Sequence, residues 1–408
     1  MAKPLIVGIF EVLVALVLGV NAGIITGLVP GIHVNLVSVL IISFLTLLLT
    51  TTTPLLLAVF IISLAITHTF LDSIPSIYLG APDEAQALNV LPGHRLLNKG
   101  EGHNAIVYTV IGSLGSLLLG LILFPVFIIS MELIYPAVKN WIGYILILIM
   151  VYMVMKDKGK RLKSLTAFLL SGCLGLIIFS IPNLSQPLFP LLSGLFGFSI
   201  LLLSLLQKSK IPPQDLTKPL TISKKNLIKS VSAASGVGFM AAFLPGFGSS
   251  QAAIVATNLV GDIGDEGFLT LVGGINTANM LISIATVYVL DKARNGAILT
   301  VSNLLGEVTF QEMLLFLAVA LIAGGIASVL ALKISKQFSR IIVKVNYAYV
   351  VFSIIAFITL LSIYFDGFIG LMILLTATAL GIITSSWNVG KNHLMGCLIL
   401  PVILYFIL

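Results

Sequence analysis

The chain has 408 residues, 58% of them hydrophobic and only 9% charged, with a formal net charge of +7 and a mean hydropathy of +1.15. A soluble globular protein carries roughly 25% charged residues, and so few charges exclude one by leaving nothing to clothe a surface in water. The excess of Lys+Arg (22) over Asp+Glu (15) is first a topology signal in such a chain, and nucleic acid is not an expected partner. Apolar segments run in chain order near 5–29, 32–49, 54–71, 74–91, 105–130, 136–155, 164–181 and 187–206. The polar stretch 207–229, with six lysines, one aspartate and three prolines, interrupts them. They resume near 230–244, 247–260, 268–290, 311–332, 341–365, 368–385 and 392–408. Continuous runs of this kind predict membrane-spanning helices and disfavour a β-barrel, whose short strands alternate. The expected fold is an all-α polytopic membrane protein, with roughly 10 to 12 full crossings plus re-entrant segments. The opening MAKPLIVGIF lacks a small-residue cleavage site and reads as part of a retained first helix. Cys173 and Cys397 both lie in apolar segments, which argues against a disulfide framework.

The two halves resemble each other. GVNAGIITGLVPGIHVN at 19–35 aligns with SGVGFMAAFLPGFGSS at 235–250, pairing Gly31 with Gly246, Gly23 with Gly238 and Gly27 with Ala242. IPSIYL at 74–79 matches IATVYV at 284–289, and LLSGLFGFSILLLSL at 191–205 matches LMGCLILPVILYFIL at 394–408. Three matches in one order predict a duplication. Charge adds direction: the basic loop of the first half is KDKGKRLK at 156–163, while the loop around Glu132 and Tyr135 has only Lys139. In the second half the basic stretch comes earlier, KISKQFSRIIVK at 333–344, and the loop around Asp366 has no basic residue. By the positive-inside rule the halves are then inserted upside down relative to each other. The organisation expected is a first transmembrane repeat over 1–206, a basic cytoplasmic linker over 207–229 and a second, inverted repeat over 230–408, with Pro-Gly-broken or re-entrant helices. Parity puts both termini outside, against which Lys3 argues mildly. Inverted repeats with a site between broken helices mark secondary transporters.

The candidate site residues follow from those breaks. Pro30 and Pro245 donate no backbone hydrogen bond, and Gly31 and Gly246 permit unusual conformations. A break inside a bilayer is tolerated only in protein or beside an aqueous cavity, and the next helix N-terminus suits an anion. Gly248, Ser249 and Ser250 in the second half, with His33 and Asn35 in the first, would let a carboxylate or phosphate approach; a packing kink is the alternative. Asp72, with His68 one turn earlier, reads either as an intramembrane ligand for a proton or Na+ or as a helix-end acid facing headgroups. Asn276, Thr277 and Asn279 in GGINTANM suit a substrate or Na+, or else hydrogen bonds between helices. Arg294 is a candidate to neutralise an anion, or pairs with Asp291; Arg95 reads as a residue of an interfacial loop. Asp83 and Glu84, after Pro82, read as a helix cap. Glycine and serine four apart, at 19, 23 and 27 and at 112, 116 and 120, predict close helix packing. No Walker A or HExxH motif occurs, and the five histidines lack zinc-ligand spacing. GDIGD at 261–265 lacks the spacing of an intramembrane aspartyl protease motif, so an enzyme is not expected and no resident metal or organic cofactor is implied beyond coupling H+ or Na+.

GLVPGIHVN, IPSIYLGAPDEAQALNVLPGHRLLNKGEG, FLPGFGSSQAAIVATNLVGD and LMGCLILPVILYFIL together resemble the tripartite tricarboxylate transporter large membrane subunit (TctA) family. The chain departs from that pattern after the first Pro-Gly, where Ile32, His33 and Val34 stand, and it is shorter than typical members, as a compact stand-alone form would be. The resemblance implies a cation-driven carrier for organic anions such as citrate in the cytoplasmic membrane of a prokaryote. It also implies a small membrane subunit and a periplasmic solute-binding protein as partners, besides the bilayer and the anion. A second copy of the chain is a further candidate partner. The rival reading is a polyprenyl-phosphate translocase that uses the same paired Pro-Gly elements for a lipid phosphate.

Overall fold

The computed structural model describes residues 8–29, 34–82, 85–138, 140–206, 212–243, 248–291, 295–343 and 347–408. The first half comprises α1 (Ile9–Leu28), α2 (Val34–Ser43), α3 (Leu45–Leu48), α4 (Pro54–Leu71), α5 (Ser73–Leu79), α6 (Val90–Asn98), α7 (Gly102–Ile122), α8 (Phe124–Val138), α9 (Ile142–Lys156), α10 (Arg161–Ser180), α11 (Leu188–Leu192) and α12 (Ser199–Leu206). A π-helical stretch, Ser193–Phe198, joins the last two. The second half comprises α13 (Lys224–Phe243), α14 (Ser249–Val260), α15 (Gly264–Leu290), α16 (Gly296–Leu305), α17 (Phe310–Ile342), α18 (Tyr347–Ser386, broken at Gly367) and α19 (Gly396–Ile407). Among the described residues no strand occurs, and seven helices are long and apolar enough to cross a membrane. Shorter apolar helices of 10–17 residues fill the remainder.

Local signals set the helix ends. Thr53 caps α4 through its side chain, with Pro54 in the first turn, where a missing N–H costs nothing. Thr309 and Glu312 form a reciprocal capping box on α17. Three boundaries differ from the sequence reading. The turn after α8 follows Val138 instead of lying around Glu132 and Tyr135. The basic stretch from Lys333 is the continuation of α17, not a loop, because Lys, Arg and Ser do not break a helix. Arg95 sits on helix α6, not in a loop.

Glycine stripes set the closest contacts. A Cβ on Gly23 would lie 2.7 Å from the Leu64 carbonyl oxygen, and one on Gly27 would lie 2.7 Å from Leu71 Cβ, so α1 runs parallel to α4 at backbone contact. In the second half a Cβ on Gly274 would lie 2.7 Å from Ala234 Cβ, and one on Gly238 would lie 2.7 Å from Ala278 Cβ; α13 therefore runs parallel to α15. Gly112 of α7 rests on the Thr270 carbonyl of α15, and the Ser113 hydroxyl donates to the Gly273 carbonyl at 3.0 Å. Small residues at such crossings let backbones approach where no hydrophobic drive separates lipid from protein. In consequence 89% of the most apolar window of α15 is buried, against 33% for α1, whose Leu13, Val17 and Leu18 face outward.

The basic stretches gather at one end of the bundle. The α5 end and the α7 start meet α17 there: Tyr78 Oη lies 3.1 Å from Ser335 Oγ, and His103 Nδ1 lies 3.0 Å from the same oxygen. The linker joins them. The Gly102 N–H donates to Gln214 Oε1 at 2.8 Å, the Asp215 N–H to the Gly100 carbonyl at 2.9 Å, Lys218 Nζ to Glu101 at 3.0 Å, and the Thr221 N–H to Tyr108 Oη at 2.8 Å. Thus α4–α5 runs toward this end, whereas α7, α13 and α15 start from it. Glu307 and Glu312 lie at the other end of the 33-residue α17, about 50 Å away at 1.5 Å per residue.

Candidate functional site

Asp72 stands at the joint between α4 and α5 and inside the 26-residue apolar stretch Pro54–Leu79. Pro75 three residues on cannot donate to the Leu71 carbonyl, which is why the helix is interrupted there. The α5 helix ends at Gly80 in the left-handed conformation (φ 63°), and the chain returns through the 3₁₀ turn Ala87–Asn89. That return places Gln86 against Asp72: Gln86 Nε2 donates to Asp72 Oδ1 at 2.8 Å. The Gln86 amide is held in this orientation because its oxygen accepts from Asn89 Nδ2, while the Ser76 hydroxyl donates to the Gln86 carbonyl at 3.0 Å.

From the other half, Asn276 Nδ2 donates to Asp72 Oδ2 at 2.6 Å. His68 Nε2 lies 4.0 Å from the same oxygen, and His68 Nδ1 lies 3.1 Å from Thr26 Oγ1 of α1. Asp72 is only 4% exposed. These surroundings are those of an interior acid rather than a headgroup-facing one, and a buried carboxylate needs such donors.

Thr277 Oγ1 lies 3.0 Å from Thr69 Oγ1, and Asn279 Nδ2 donates to Ser249 Oγ at 3.2 Å. Asn276, Thr277 and Asn279 therefore all make bonds between helices. Asn276 and Asn279 are one turn apart, about 4.5 Å along the axis, so a single turn of α15 bonds both Asp72 and the start of α14. Gly248, in extended backbone, is the N-cap of α14, and Ser249 and Ser250 are its buried first residues. The first N–H groups of a helix have no partner within it, and those of α14 begin beside Asn279. Pro30, Gly31, His33, Pro245, Gly246 and Arg294 lie outside the described residues, as do Asp83 and Glu84 and the side chain of Asn35.

Sequence reasoning missed Gln86 and Asn89, although both lie in the quoted PDEAQALN segment; two amides beside an apolar run were the available signal. It also passed over Lys391, a lone lysine between two apolar segments. Lys391 Nζ donates to the Leu195 carbonyl at 3.3 Å and to Ser199 Oγ, and burial pushes its ammonium down to about 7. Nearby, Asp157 lies in the turn after α9. Partial burial pushes its carboxyl up, but hydrogen bonds from Ser164 (2.6 Å) and His393 (2.8 Å), with the charges of His393 and Lys160, hold it below the ordinary value.

Fold and buried acid together define the class, a multi-pass helical membrane protein that keeps a polar site inside the bundle. The chain belongs to the tripartite tricarboxylate transporter TctA family, which it matches over residues 13–396. It is 30% identical over 404 residues to an uncharacterized protein of Methanocaldococcus jannaschii, covering 97% of this chain and 99% of that one, so the compact length is shared. No solved structure matches the chain. Membership sets its coarse role as tricarboxylate-type transport, in a family of transporters.

Proposed function

We propose that the chain is a secondary active transporter that moves a di- or tricarboxylate across the cytoplasmic membrane, coupled to H+ or Na+, by alternating access. The observation that carries the reading is the Asp72–Asn276 bond, which puts an intramembrane carboxylate of the first half on an amide of the second. Such acids are costly in a membrane and mark ion pathways. Asp72 would take the coupling cation, with His68, Asn276 and Thr277 around it. One turn along α15, the start of α14 at Gly248, Ser249 and Ser250 would take the anion, with Pro245 and Gly246. The first-half element Pro30, Gly31, His33 and Asn35 would oppose it, and Arg294 would add positive charge.

The spacing gives coupling a physical basis. A cation at Asp72 removes the negative charge that an incoming carboxylate would meet about one helical turn away, so each ligand raises the affinity of the other. The opposed directions of α1–α4 and α13–α15 support two inverted repeats, and the positive-inside rule makes the basic end cytoplasmic. A small membrane subunit and a solute-binding protein are proposed partners.

The test is uptake into proteoliposomes of labelled di- and tricarboxylates, inorganic phosphate and short polyprenyl phosphates, under Na+ or H+ gradients. Gradient-dependent carboxylate uptake that Gly246→Leu abolishes in a folded protein is the expected result. Movement of the lipid phosphate alone would replace the reading with a translocase.

A further inference from the structure

A cavity of about 610 Å³ opens at the basic end, between α6, the end of α9, the π-helical stretch, the α14–α15 junction and the turn that carries Lys391. Small-molecule sites measure about 300–1,000 Å³. Its wall at Ala87 and Leu88 is the same turn whose Gln86 and Asn89 brace Asp72, so the cavity abuts the back of the buried acid.

The charges lining it are unevenly satisfied. Arg95 pairs with Asp265 at 2.7 Å, Asp157 with His393 at 2.8 Å, and Asp262 accepts from the Gly264 N–H at 3.1 Å. The two lysines meet only neutral oxygens. Lys156 Nζ donates to Asn258 Oδ1 at 3.3 Å, and Lys391 Nζ to the Leu195 carbonyl and Ser199 Oγ. No carboxylate of the described residues lies within 4.0 Å of either ammonium. Lys391 is partly buried on a short 3₁₀ turn, Lys391–Met395, and that turn is pinned by His393 to Asp157, with Lys160 donating to the Asn388 carbonyl at 2.9 Å just before it. A cation withdrawn from water without a counter-charge is costly unless an anion joins it.

We propose that this cavity is a second station for the transported anion, a polycarboxylate binding site in which Lys391 and Lys156 each take a carboxylate. Asn258, which now accepts from Lys156, also lines the cavity and is placed to turn toward the bound ligand. The site rests on the transport reading and lies on the cytoplasmic side of Asp72. It selects ligands with two or more carboxylates, because the two ammonium groups come from different parts of the cavity wall.

Binding of labelled citrate, succinate and acetate to the purified full-length chain in detergent tests it, alongside carboxylate uptake by the same variants in proteoliposomes. Wild type should bind citrate and succinate and not acetate. Lys391→Gln should weaken citrate at least tenfold, Lys156→Gln several-fold, and Lys391→Arg should stay within a few-fold of wild type, all with unchanged melting temperature. Should Lys391→Gln lower the melting temperature, protection by citrate of an Asn392→Cys variant from a charged thiol reagent, with Lys391 intact and in a Cys173→Ser background, is the second measurement, since Asn392 also lines the cavity. Wild-type affinity in a folded Lys391→Gln, or no protection of the cysteine, overturns the site while carboxylate uptake leaves the transport reading standing. Absence of both carboxylate binding and carboxylate uptake by wild type overturns the two together.

Discussion

Replacing Asp72 by asparagine separates the charge of the buried acid from its shape. The carboxylate accepts hydrogen bonds from Gln86 at 2.8 Å and Asn276 at 2.6 Å, and bonds to a charged group contribute about 1.5–3 kcal/mol each. In Asp72→Asn one amide oxygen still faces Gln86, whose orientation Asn89 fixes, and the new NH₂ meets Asn276, whose amide is free to reverse. The expected loss is therefore about 1–3 kcal/mol. Asp72→Ala strands both donors in the interior and should cost roughly 3–6 kcal/mol. Melting followed by light scattering in detergent should rank them wild type, Asp72→Asn, Asp72→Ala. Gradient-driven uptake in proteoliposomes should fall at least twentyfold in Asp72→Asn, because the amide binds no proton and holds Na+ poorly. Wild-type gradient-driven uptake in Asp72→Asn would refute the assignment of Asp72 to the coupling cation.

Asn276→Ala should raise the cation concentration needed for half-maximal uptake about tenfold with little change in folded yield, measured by titrating Na+ and pH; an unchanged titration removes Asn276 from the site. Gly112→Ala forces α7 off the Thr270 carbonyl and should lose about 1–3 kcal/mol, whereas Gly325→Ala meets nothing within 4 Å and should gain about 0.5–1 kcal/mol; their melting temperatures should shift in opposite directions. Asp157, held below its ordinary value of 3.8, adds stability that is present above that value and lost as pH falls through the lower folded one. The melting-temperature gap between wild type and Asp157→Asn should therefore close on acidification below pH 4. An anion at Lys391 needs the ammonium, whose value is about 7; citrate affinity should fall as pH rises above about 7, by at most tenfold per unit, and Lys391→Gln should abolish that slope.

Hydropathy located nearly every long helix, including the break that Gly367 makes beside Asp366, because lipid exposure demands continuous apolar faces. It misread residues 333–342, where a helix runs past the roughly 30 Å hydrocarbon core and carries charge without ending. Asp72 and Asn276 were each conspicuous as polar groups in apolar surroundings, yet their bond spans 204 positions, and no local rule pairs residues so far apart. Gln86 acts through a turn that only the tertiary return of the chain brings to Asp72. Lys391 was obscure for the opposite reason: one lysine between hydrophobic runs looks like a loop charge until a cavity is seen in front of it.

A polar segment at the midpoint of a membrane protein is where an engineer would first insert a reporter or cut the chain. Here residues 214–221 are fastened along the α6–α7 corner by side-chain and backbone bonds at both edges. Insertions are tolerated where backbone is exposed and unbonded, so a fluorescent domain placed at Gln214 would pry that corner open. Gly159 is the better port, since its φ of +82° marks a tight turn with nothing within 4 Å of an added side-chain carbon, on the side of the bundle that the basic stretches share.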